Sequence, residues 1–146
     1  MRINSANPTE LPAARKMITF TGAAGLGAVG AVPLFTTTGQ VLIERLVPFC
    51  TTTLTDAANA ATLALGVTGS TALFIAATDS DLILTNTFWV DTAPDAAGVA
   101  LPAALIAIGI NANLIGTVAG EAVTAGVIAF TAYWRPISSG ATLVAA

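Results

Sequence analysis

Few side chains in this sequence could do chemistry, and most of them lack the neighbours that chemistry requires. There is no histidine, which removes Ser–His–Asp and Cys–His nucleophilic arrangements and imidazole metal ligation. Cys50 is the single cysteine, so it has no partner for an intrachain disulfide and implies no oxidising compartment. It sits in an apolar, strand-like run without an adjacent Lys to lower its pKa, and reads as a core or interface thiol. Asp79-Ser80-Asp81, with Asp91 and Asp95, offers the hard oxygen ligands that Ca²⁺ takes. The following Gly and Glu of an EF-hand loop are missing, so these read as solvated turn acids. Paired carboxylates could serve a glycosidase, but only nine aromatics are present and most fall at core-like positions.

Gly25-Leu26-Gly27-Ala28-Val29-Gly30 matches G-x-G-x-x-G after a strand-like run. A dinucleotide site needs a helix to open there, with its N-terminus on the pyrophosphate. Pro33 and the Thr36-Thr37-Thr38 run prevent that helix. The ribose-binding acid expected about 20 residues on is also missing, since Glu44 comes early and Asp56 late. A tight loop with close backbone approach is the better reading. Trp89, Tyr133 and Trp134 could stack on sugars, although core or subunit packing uses aromatics more often. These residues call for no catalytic role, cofactor or metal.

The composition sharpens that result. Of 146 residues 55% are hydrophobic and 9% charged, with 5 bases against 8 acids; ordinary soluble domains carry roughly 25% charged residues. A monomer of this size exposes about 6,900 Å², or about one charge per 530 Å². Disorder is excluded, because it requires low hydrophobicity and high charge. A net charge of −3 supplies no patch that would release counterions from nucleic acid. A membrane or a large protein–protein interface remains. Three uncharged stretches, Met17–Ile43, Ala57–Thr78 and Ala96–Gly120, have the length of a spanning helix. Their Gly, Pro, Thr and Asn content argues against insertion, and no basic flanks set an orientation. The run after Arg15-Lys16 is equally poor as a secretory core.

Residues 1–16 differ from the rest. Arg2, Glu10, Arg15 and Lys16 give them a net charge of +2, while the remaining chain has two bases against seven acids. They read as an extended N-terminal arm, with a helical turn allowed near Glu10–Lys16, suited to docking on an acidic neighbouring copy. From Met17 the pattern alternates with period two between turn residues. Ile18 and Phe20 alternate with threonines. Val41, Ile43, Val47 and Phe49 occupy one side of a strand interrupted by Arg45. Thr62–Val67 and Thr71–Thr78 form a hairpin across Gly69-Ser70. Leu82–Thr85 and Thr87–Val90 flank Asn86. Leu114–Val118 and Val127–Arg135 read as a final hairpin, with Ile128, Phe130, Ala132 and Trp134 on one face and Pro136 as its stop. Ala-rich pieces near 57–65 and 99–108 allow helical turns.

About eight short strands rich in Thr, Val and Ile predict one all-β domain over residues 17–140, a β-sandwich of jelly-roll type, followed by a tail over 141–146. Its outward positions are Thr, Ala, Ser and Asn rather than charges, as expected for surfaces covered by other subunits.

The strings Ile18-Thr19-Phe20-Thr21-Gly22-Ala23-Ala24-Gly25-Leu26-Gly27-Ala28-Val29-Gly30, Leu34-Phe35-Thr36-Thr37-Thr38-Gly39-Gln40-Val41-Leu42-Ile43 and Val123–Ser138 resemble small structural proteins of tailed double-stranded DNA bacteriophages. The resemblance covers about residues 17–138 and brings no catalytic residues with it. It implies a β-rich virion component, a decoration or cement protein on the capsid, assembled in the host cytoplasm. Its partners would be the major capsid protein and further copies of itself. On that reading Arg2, Arg15 and Lys16 dock the arm, and Trp89, Trp134 and Arg135 are interface candidates. The alternative is a carbohydrate- or receptor-binding sandwich on a head or tail fibre, which expects Trp89 or Tyr133 to be exposed.

Overall fold

A computed structural model describes residues 12–146. Two antiparallel sheets pack on one apolar core, as the alternation predicts. Eleven strands build them: β1 (Ala13–Thr19), β2 (Gly30–Thr38), β3 (Val41–Asp56), β4 (Thr62–Val67), β5 (Ser70–Asp79), β6 (Thr87–Phe88), β7 (Asp95–Ala96), β8 (Ile106–Ile110), β9 (Leu114–Ala119), β10 (Val123–Pro136) and β11 (Thr142–Ala145). The first sheet runs β1-β10-β3-β6-β7, with β8 also paired to β3. The second runs β11-β2-β9-β4-β5. Among the described residues, helical structure is limited to 3₁₀ turns at Ser80–Leu82 and Ala103–Leu105, the second of them inside the Ala-rich stretch near 99–108.

The core is the sum of the inward parities of both sheets. Ile18, Ile43, Leu46, Ile128 and Phe130 come from the first; Leu34, Phe35, Leu63, Leu65, Ile75 and Leu143 come from the second. Each contributes about 1.5–3 kcal/mol on burial. Trp89 is fully buried between the sheets. Its Nε1 donates to Thr78 Oγ1 at 3.0 Å, and its ring lies edge-on to Phe130 at 6.5 Å. The indole thus ties β5 of one sheet to β10 of the other. Cys50 is a buried core thiol whose Sγ donates to the Thr52 carbonyl, and burial pushes its pKa up.

Several sequence expectations need correction. Residues Ala13–Lys16 are not part of an arm or a helical turn: they begin β1, paired from Ala13↔Tyr133 to Thr19↔Val127. The tail over 141–146 is largely β11, an edge strand on β2. β9 and β10 are not a hairpin. β9 lies between β2 and β4 in the second sheet, while β10 lies between β1 and β3 in the first. The segment between them packs on the Ala58–Ala61 loop: a Cβ on Gly120 would lie 2.2 Å from the Ala60 carbonyl oxygen, and Glu121 accepts from the Ala58 amide.

The parity expected along β3 also changes midway. Val41 and Ile43 point inward, but so do Leu46 and Cys50, while Val47 and Phe49 are only half-buried. A register shift between Tyr133↔Arg45 and Trp134↔Ile43 places one extra residue in β3. Such a bulge reverses which alternate residues face the core.

The Gly25–Gly30 segment is a compact turn. The Leu26 and Ala28 amides donate to the Ala23 carbonyl, and the Gly22 amide donates to Leu26. Those amides are therefore spent internally rather than aimed at a phosphate. Gly27 has φ +116°, and a Cβ there would lie 2.1 Å from the Val123 carbonyl oxygen. Gly27→Ala is expected to destabilise the fold by more than about 1 kcal/mol, read as a lower urea midpoint at unchanged m-value.

Candidate functional site

The structure disperses the residues that spacing had grouped and gathers others. Arg2 lies outside the described residues. Arg15 faces outward from β1. Lys16 sits at the edge of β1, and its Nζ donates to the Ala146 carbonyl oxygen, closing the gap between β1 and the chain end beyond β11. Arg135 pairs with Glu44 at 3.1 Å. Trp134 is half-buried against the core. Trp89 is removed from the interface candidates, since none of its surface is exposed. Tyr133 is half-buried and lies under the Arg45 guanidinium, 5.1 Å from its ring centre.

The first sheet's outer face is built in cross-strand rows. Ala13, Tyr133 and Arg45 form one row, Arg15, Thr131 and Val47 the next, and Met17, Ala129, Phe49 and Phe88 the third. Met17 is 63% exposed. Phe49 and Phe88 meet edge to face at 4.8 Å. With Thr85, Asn86, Ala96 and Ala97 they line an open hollow of about 480 Å³. Asn86 turns the chain there with φ +61°, a conformation that Asn tolerates better than most residues. A second hollow, of about 330 Å³, lies by Gln40, Gly109, Ile110, Asn111 and Ile137. Neither is lined by a titratable side chain.

The outer face of the second sheet is different. Its strands, of nine, six, six, ten and four residues, contain one charged side chain, Asp79, at the end of β5. Ala31, Thr117 and Ala64 form one cross-strand row and Pro33, Ile115 and Gly66 another, running from exposed on β2 through half-buried on β9 to buried on β4. Val144 on β11 is 53% exposed. The Thr117 hydroxyl is sealed from solvent with no hydrogen-bond partner in the chain.

Four carboxylates, Asp56, Asp79, Asp81 and Glu121, gather at the end of β3 remote from Arg45. Asp56 organises that end, accepting from the Ala61 amide at 2.6 Å, the Asn59 amide at 3.0 Å and Ser80 Oγ at 3.2 Å. The Ala61 amide above all holds its pKa below the ordinary range, with Ser80 and Asn59 assisting. Asp79 accepts from the Asp81 amide, capping the 3₁₀ turn. Glu121 accepts from the Ala58 amide at 2.9 Å. Asp81 is pushed up, first by desolvation and then by repulsion from Asp56, Asp79 and Glu121. Asp91 accepts from the Ala93 amide in a separate turn. Among the described residues no three acids or cysteines converge to hold a metal ion, and no helix is long and apolar enough to cross a membrane.

Sequence reasoning missed this division into a basic face and an acidic end. Arg15 and Arg45 are far apart in the chain and reach adjacent rows only through strand pairing, and Asp56 and Glu121 come together only where the loops after β3 and β9 meet. The two central acids make opposite predictions. Asp56, with its depressed folded pKa, stabilises the fold above the unfolded value of about 3.9, and that contribution is lost as pH falls through the folded pKa. Asp81, with its raised pKa, costs stability as pH rises through its folded value. At neutral pH, Asp56→Asn should therefore lower the urea midpoint and Asp81→Asn should raise it. Both differences should shrink in acid, that of Asp81→Asn first, as pH falls through the raised folded pKa, and that of Asp56→Asn only at lower pH, through the depressed one.

No family model, curated protein or solved structure matches this chain.

Proposed function

We propose that this chain is a non-enzymatic structural protein of a bacteriophage virion, a decoration or cement protein that reinforces the capsid. It seats the outer face of its second sheet on the major capsid protein. That face supports the reading best: apart from Asp79 at one end, the five strands that form it carry no charge. Covering such a surface with another protein desolvates few charges, so little is lost against the gain from apolar burial. On a shell the same contact is repeated by many copies, and avidity compensates for the weakness of each one. The resemblance of the Ile18–Gly30, Leu34–Ile43 and Val123–Ser138 strings to phage structural proteins supplies the context.

The test is co-sedimentation of the purified protein with empty capsids. Wild type should pellet with the shells. Ile115→Lys, which places a charge in the middle of the neutral face, should weaken binding at least about tenfold while the β-type circular dichroism spectrum is kept. Wild type that stays in the supernatant at high concentration would defeat the proposal.

The hollow at Phe49, Asn86 and Phe88 favours a second reading, a glycan- or receptor-binding module. Aromatic rings beside a neutral amide suit a saccharide better than a charged ligand. Of the aromatics expected to be exposed in such a module, Trp89 is buried and Tyr133 is half-buried beside Arg45, so in this hollow the phenylalanines would have to do the stacking. Glycan-array binding that disappears in Phe88→Ala would establish this reading, and a blank array with wild-type protein would remove it.

A further inference from the structure

Among the described residues, all four bases lie on β1, β3 and β10: Arg15, Lys16, Arg45 and Arg135. Only Arg135 is taken up by an acid, Glu44. Arg15 and Arg45 stand in adjacent outward rows, on either side of Thr131 and Tyr133. At the other end of β3 stands Asp56, with Asp79, Asp81 and Glu121 around it and, among the described residues, no base paired with them. Arg45 and Asp56 are eleven positions apart on one extended strand, a span of about 36 Å. This is several times the screening length of about 8 Å at physiological ionic strength. The two ends therefore cannot neutralise one another within one chain. Nor do the acids form a cage that a metal ion could fill.

We infer that neighbouring copies of this chain meet head to tail, with the face carrying Arg15, Arg45 and Tyr133 on one copy set against the Asp79, Asp81 and Glu121 end of the next. The occupant follows from charge complementarity: the chain holds a cationic surface on the outer face of the first sheet and an anionic surface at the Asp56 end of β3. Such a contact is heterologous, so it propagates as rows or rings rather than stopping at a two-fold dimer. Tyr133 and Met17 supply the uncharged area beside the cations, since exposed ion pairs contribute little by themselves. The inference rests on the proposed coat role in one respect: a shell brings copies to the high local concentration at which such a contact fills. It uses the outer face of the first sheet and the Asp56 end of β3, whereas the shell contact uses the outer face of the second sheet, so the two can fail separately.

The experiment is sedimentation velocity of the full chain alone, with two charge reversals. Wild type should associate at about 0.01 M salt and dissociate at about 1 M, as the screening length falls from about 30 Å to about 3 Å. Arg45→Glu and Asp81→Lys should each weaken self-association by about fivefold or more. Mixed in equal amounts, the two variants should associate again, because the intact acidic end of Arg45→Glu suits the intact basic face of Asp81→Lys. Arg15→Glu serves as a second reversal at the basic patch, and retained β-type circular dichroism spectra show that the variants are folded. A wild-type chain that is monomeric at low salt overturns the inference. So does association indifferent to both reversals, or a mixture that fails to reassociate. Loss of capsid pelleting in Ile115→Lys with salt-sensitive self-association intact would bear on the second-sheet contact alone.

Discussion

The pairing of β3 with β10 is the constraint on which the rest of the molecule depends. These are the two longest strands, and they stay in register from Val41↔Pro136 to Asp56↔Val123 with several shifts along the way. β1 adds to one side of the pair, and β6 and β8 to the other. The shift at Glu44–Arg45 has the widest consequences. Without it Val47 and Phe49 would enter the core and Leu46 and Cys50 would leave it. With it, Phe49 reaches Phe88 on the outer face, and Arg45 lies over Tyr133. One inserted residue thus sets both the packing inside the first sheet and the chemistry outside it.

Trp89 is the second device that makes two sheets into one body. An indole N–H left unpaired in a dry core costs about 1–3 kcal/mol. Thr78 removes that penalty by accepting it from across the sheet interface. The molecule presents a nearly neutral second sheet, and on the first an outer face that carries Arg15 and Arg45. A thinly charged protein keeps its few charges effective by grouping them, since charges of one sign brought together act as a patch.

Much of the architecture was legible in the chain. Alternation at Ile128, Phe130 and Ala132 marked the inward side of β10, and Gly69-Ser70 marked the β4–β5 hairpin, because both signals are local: side chains alternate with period two, and glycine permits a positive φ. Cys50 read correctly as a core thiol for the same reason. The β9–β10 segment misled because two apolar runs around glycines look alike whether the chain returns to its own sheet or crosses to the other. Arg15 and Lys16 looked like part of an arm because a charged, proline-flanked leader carries no sign of the strand waiting to pair with it.

By itself, then, the sequence determined an all-β chain, starved of charge, with histidine chemistry closed to it. Composition and period are sums over near neighbours, and no fold can alter them. Tertiary structure alone decided which charges stand together and which face is bare. Arg15 meets the row of Arg45 only through Thr131 and Tyr133 on a third strand, and Asp56 meets Asp81 and Glu121 only where three loops converge. Those contacts depend on register and on a single bulge, and a shift of one residue in either would exchange the inside of the first sheet for its outside.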